Sequence, residues 1–121
     1  MKRHVLLFGF IVIAFKAEAA LEECQKFPAT YAISEPMAVA EIEAKETQDL
    51  AEKLRVRPDM PKVPFGFVNA KWVQFKSHIR KGDVVVHFVS DQHSWQVLAG
   101  EEGYAIVHSD CIVETFRTAM N

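Results

Sequence analysis

The hydrophobic positions change rhythm twice along the 121 residues. From Val5 to Phe15 they are continuous, from about Val39 to Ile79 they recur at helical spacing, and after Asp83 they alternate. The last rhythm is β. Val84–Ser90, Ser94–Ala99, Tyr104–His108 and Cys111–Thr118 are short runs rich in β-branched and aromatic residues. They are separated by the turn-like Asp91–His93, Gly100–Gly103 and Ser109–Asp110. Connections this short join only antiparallel neighbours, so the pattern predicts a four-stranded antiparallel meander over 83–118. Pairing Phe88 with Val97, and Val97 with Ile106, puts Val84, Val86, Phe88, Trp95, Val97, Tyr104, Ile106, Cys111 and Val113 on one face. A slip of one residue would set Phe88 opposite Gln96 and waste the apolar set. That face is expected to be the core, beneath the helices.

The middle of the chain, 34–81, reads as helical. Pro36 to Arg57 holds mostly good helix formers, with Ser34 as its expected N-cap. Its apolar stripe is Val39, Leu50 and Leu54, widened by Ala40, Thr47 and Ala51, which suits a helix on the domain's surface. Pro58, Pro61 and Pro64 then impose an extended connector. A second helix is predicted from a cap at Asn69 through Trp72, Phe75 and Ile79 to a stop at Gly82. The expected fold is therefore α+β: one or two helices packed on the meander.

The first rhythm is of another kind. Lys2, Arg3 and His4, the apolar Val5–Phe15 and the small residues of Ala17-Glu18-Ala19 have the three-part design of a secretory signal peptide. Eleven apolar residues fall short of the roughly 20 needed to span a bilayer, so no membrane anchor is expected. Cleavage after Ala19 leaves residues 20–121 as a single small domain, periplasmic or secreted. In such a compartment the chain's two cysteines, Cys24 and Cys111, are expected to form one disulfide. A lipid-modified Cys24 fits less well, because Glu22 and Glu23 precede it where that processing needs small uncharged residues.

Charge narrows the partners. The signal holds three basic residues (Lys2, Arg3, Lys16) and one acidic residue (Glu18), so its loss moves the formal charge from −2 to −4. A mildly acidic product lacks the clustered cations that nucleic acid demands.

Candidate chemistry is sparse. His78, His87, His93 and His108 stand in no metal-ligand spacing, and neither a metal nor another cofactor is expected. Ser90, His93 and Ser94 share a turn, but no GxSxG elbow surrounds them. A small hydrolase or metal-binding enzyme using Ser90–Trp95 is the alternative to a non-enzymatic role, and an accessory subunit of an envelope complex is another. The leading expectation is a protein-binding or inhibitory module whose partner is another extracytoplasmic protein or a second copy of itself. Its expected surface is the outward sheet face, with Phe116 and Leu98 as apolar anchors around His87, Gln96 and Glu114. The competing reading of that face is a second small core.

Overall fold

The computed structural model describes residues 23–121; the expected signal peptide, 1–19, lies outside them. In chain order the elements are β1 (Ala32–Ile33), α1 (Val39–Val56), a 3₁₀ turn (Gly66–Val68), α2 (Asn69–Ser77), β2 (Val84–Val89), α3 (Gln92–Gln96), β3 (Glu101–His108) and β4 (Cys111–Met120). The strands form one antiparallel sheet in the order β1-β2-β3-β4. The architecture is α+β, tied by a Cys24–Cys111 disulfide with Cα atoms 5.0 Å apart.

Four strands were expected and four are present among the described residues, but one of them is different. Ser94–Ala99 is not a strand: α3 and its exit turn occupy it. The deciding residue is Asp91, whose Oδ1 accepts hydrogen bonds from the Ser94 N–H (2.8 Å) and from Ser94 Oγ (3.1 Å). Capping of this kind stabilises a helical start, and it overrides the β preference of Trp95, Val97 and Leu98. The edge beside β2 is filled instead by β1, where Ala32 pairs with Val89 and Ile33 with Phe88. The chain then stays on that edge, with Ser34 N–H bonded to His87 O and Met37 N–H to Val85 O.

This changes the register. β2 pairs directly with β3, Val85 opposite Ile106 and Phe88 opposite Gly103. The expected pairings of Phe88 with Val97 and Val97 with Ile106 are thus corrected; Tyr104 and Ile106 lie under the helices as expected, but Val84, Val86 and Phe88 do not share their face. The helices pack on Val85, Tyr104, Ile106 and Phe116, against which Ile42, Trp72 and Phe75 close a buried cluster. Its aromatic contacts are tight, with Phe65 centred 4.8 Å from Trp72 and 4.9 Å from Phe116. The Phe88 face carries a second, smaller cluster of Val86, Phe88 and Ala105, covered by Phe27 and Tyr31 of the N-terminal segment. Trp95, expected in the core, is half-buried with its ring against Gly100, and Val97 and Val113 are exposed.

The helices also differ from expectation at their ends. α1 starts at Val39 after Ala38, not at Ser34. The Ser34 hydroxyl is engaged elsewhere, accepting from His87 N–H and donating to Glu35 O. The buried side chains of α1 are Ile42 and Leu50, while Ala40, Thr47 and Ala51 face solvent. Asn69 is the first residue of α2 rather than its cap, and its side-chain amide donates to Pro64 O. Gly82, at φ +88°, makes the turn into β2, a left-handed conformation that glycine adopts without a Cβ clash. At Gly103 the constraint is space: a Cβ there would overlap the Phe116 carbonyl beside the bulge in the β3–β4 ladder.

Candidate functional site

The five residues expected to share one surface fall in four places. Phe116 is 6% exposed and lies inside the helix-covered core, so it cannot serve as an outward anchor. His87 is half-buried on the same face, its ring 5.2 Å from that of Tyr104 and its Nε2 3.0 Å from Glu102 Oε1. Glu114 lies at the far end of that face, 2.7 Å from His78 Nδ1. Only Gln96 and Leu98 stay together, exposed at the end of α3.

That end is built as a rigid projection. Asp91 holds its N-terminus and is fixed in turn by the Thr30 hydroxyl, 2.8 Å from Oδ2. These hydrogen bonds, that from the Ser94 N–H foremost, hold the Asp91 carboxyl below its ordinary pKa. At the other end Ala99 N–H bonds to Ser94 O (2.8 Å), while Leu98 sits between them at φ +60°. This is a Schellman-type termination, whose left-handed position normally belongs to glycine. Asn121 clamps the base: its Oδ1 accepts from Gly100 N–H (2.8 Å) and its Nδ2 donates to Trp95 O (2.6 Å). Leu98 is 75% exposed and Val97 55%.

The hydroxyls of the Ser90–Trp95 segment have structural partners. Ser90 is 5% exposed, and its Oγ accepts from Glu101 N–H while its own N–H bonds to Glu101 O. Ser94 is engaged by Asp91, and His93 stands exposed on α3. No group of three or more His, Cys, Asp or Glu side chains able to hold a metal occurs among the described residues. None of the described helices is long and apolar enough to cross a membrane.

The chain matches no protein-family model, no curated protein and no solved structure.

The signal for this site was present in the sequence as the apolar pair Val97-Leu98 followed closely by Gly100. It was hidden because the same pair suits a strand. The Asp91-x-x-Ser94 spacing, read as a cap, would have placed Leu98 just past a helix end.

Proposed function

We propose that this chain is a small exported binding protein that grips another extracytoplasmic protein through the α3 tip, inhibiting or shielding it. The observation that carries this reading is Leu98, a branched apolar side chain held in a left-handed conformation and turned into water. Such a conformation costs a non-glycine residue about 1–2 kcal/mol, and exposure returns nothing to offset it within the monomer. Contact with a partner offsets both. The capped and clamped surroundings favour binding further, because little conformational freedom is left to lose on association. Export rests on the signal design of residues 1–19, and the disulfide fits an oxidising compartment.

Leu98→Gly tests the reading, since it keeps the turn and deletes the side chain. Relief of strain opposes the greater freedom of the unfolded chain, so stability should stay within about 1 kcal/mol of wild type. A photo-crosslinker at Gln96, introduced in the producing cell, should capture a partner that Leu98→Gly releases, while one at Lys45 on the exposed side of α1 should not. Capture of a second copy alone would replace the inhibitory reading with a homodimer. Identical capture with and without Leu98 would remove the tip's role altogether.

A further inference from the structure

We propose that the depression between the end of α2 and the β3–β4 hairpin is a proton-gated binding site for a sulfate or phosphate group. The depression, about 600 Å³ in volume, is lined by His78, Arg80, Lys81, Asp83, His108 and Glu114. None of these belongs to the α3 tip, so the two sites stand or fall separately.

The arrangement of the two histidines decides the chemistry. His78 Nδ1 lies 2.7 Å from Glu114 Oε2, and His108 Nδ1 lies 2.8 Å from Asp83 Oδ1. An ionised carboxylate only accepts, so each Nδ1 carries a proton and each Nε2 is the ring atom left over. In the neutral imidazole that Nε2 is a lone pair, which repels an anion. In the imidazolium it is a charged N–H donor. The charged groups facing the two rings are Arg80, Lys81 and Asp83 from the α2–β2 connection and Glu114 from β4. With neutral rings these four sum to zero; two added protons leave the site at +2.

The Asp83 carboxylate does not stand in the way of an anion, and one oxygen of Glu114 is engaged by His78. The Asp83 side chain is only 6% exposed, and its second oxygen accepts from the Arg80 N–H at 2.8 Å. That bond first, with His108 beside it, holds the Asp83 carboxyl below its ordinary pKa, so it remains an acceptor throughout the imidazole range. Asp83 and Glu114 act as positioning residues, fixing the tautomer and aiming each ring. Arg80, Lys81 and the two Nε2–H groups supply the contacts. A metal is the competing occupant, because carboxylate-backed imidazoles also stand behind bound cations. Two neighbouring cations favour the anion, as does the fact that no three His, Asp or Glu side chains among the described residues are placed to hold one metal ion together.

Inorganic sulfate is the probe, since it stays doubly charged across the pH range in question. At low ionic strength it should saturate the imidazole resonances of His78 and His108 near pH 5.5, and bind at least about tenfold more weakly near pH 7.5. Calorimetry in buffers of different ionisation heat should show protons taken up. His78→Gln and His108→Gln should each remove much of the pH dependence, whereas Arg80→Gln should weaken binding at both pH values. Vesicles of phosphatidylcholine with a fifth of phosphatidic acid separate the sources. Sulfate-competed retention at pH 5.5 supports a headgroup, and its absence, with sulfate still bound, supports a soluble ion or ester. Equal or non-saturating responses at the two pH values would overturn the proposal. So would Zn²⁺ binding that strengthens with pH and releases protons while sulfate stays inert.

Discussion

On one face of the sheet, α1 and α2 bring Ile42, Trp72 and Phe75 down onto Val85, Tyr104, Ile106 and Phe116. On the other face Phe27 and Tyr31 cover Phe88 from a segment with no helix in it, their ring centres 4.8 and 6.5 Å from that of Phe88. A helix satisfies its own backbone and can be docked as a unit. The N-terminal segment has few such bonds. Tyr31 N–H reaches Pro28 O, Ile112 N–H reaches Gln25 O, and the Tyr31 hydroxyl donates to Glu101. Ordering a chain costs about 1–2 kcal/mol per residue, so two rings alone do not hold the stretch from Cys24 to Tyr31. The disulfide does. It anchors Cys24 to the start of β4, an edge strand of the sheet, where Gln25 O also accepts from Ile112 N–H. The two faces therefore differ in kind: one is closed by packing, the other by a covalent staple that makes modest packing sufficient.

The largest expected effect of that difference is at Trp72. Trp72→Ala should cost about 3–5 kcal/mol, as buried aromatic truncations do. The wild-type side chain already carries a penalty, because the buried Nε1–H has no acceptor among the described residues. Phe27→Ala, on the stapled face and partly exposed, should cost less, about 1.5–3 kcal/mol. Urea midpoints of the two variants measure this directly. Equal losses would mean that the faces share the load.

Next comes the staple itself. Closing a loop across a sequence separation of 87 removes up to roughly 4–5 kcal/mol of unfolded-chain entropy, and the usual return is about 2–4 kcal/mol. Replacing Cys24 and Cys111 together by serine should lower stability by that amount. Amide exchange should then rise around Gln25–Tyr31 and at Ile112 well before it rises in α2. Uniform acceleration across both faces would show that the segment is not a separable lid.

How far the sequence revealed this follows the range of the interactions. Trp72 and Phe75 lie three apart on one helix, and both are buried as that spacing predicts. The β3–β4 hairpin was legible from Ser109-Asp110, which adopt φ values of +48° and +64° at its turn. The disulfide followed from there being two cysteines. Ile42 was missed because a thin stripe centred on Leu50 and Leu54 leaves the side that meets the sheet undetermined. β1 was missed because two residues, Ala32 and Ile33, give no period to read. The register was misread because it depended on whether Ser94–Ala99 was a strand, and Asp91 decides that through a single cap. Phe116 went to the wrong face for another reason: the β3–β4 ladder slips by one residue after Val107–Ile112, so Ile106 meets Glu114 and Tyr104 meets Phe116, a bulge the sequence does not announce. The site at His78, Asp83, His108 and Glu114 was out of reach, since its pairs are 36 and 25 residues apart and meet only once the hairpin register is set.

The smallest of the three effects appears in alkali, and it ranks the faces by the ionisation of their tyrosines. Burial first, and then the nearby carboxylates of Glu46, Glu102 and Asp49, push the Tyr104 hydroxyl up to about 12. Tyr31 on the stapled face is also raised, by partial burial first and then by its hydrogen bond to Glu101. A raised tyrosine pKa contributes stability that is complete below the unfolded value near 10 and is lost as pH climbs toward the folded value. Over that window the unfolded chain releases the proton and the folded chain keeps it. At about 1.4 kcal/mol per pH unit, Tyr104 alone should remove about 2–3 kcal/mol between pH 10 and 12. Urea midpoints taken at pH 9 and about pH 11 should therefore fall steeply in the wild type. Tyr104→Phe should flatten that fall more than Tyr31→Phe does, because the helix-covered face excludes water more completely. Were Tyr31→Phe the flatter of the two, the stapled face would be the drier one, and the ranking of packing over staple would have to be reversed.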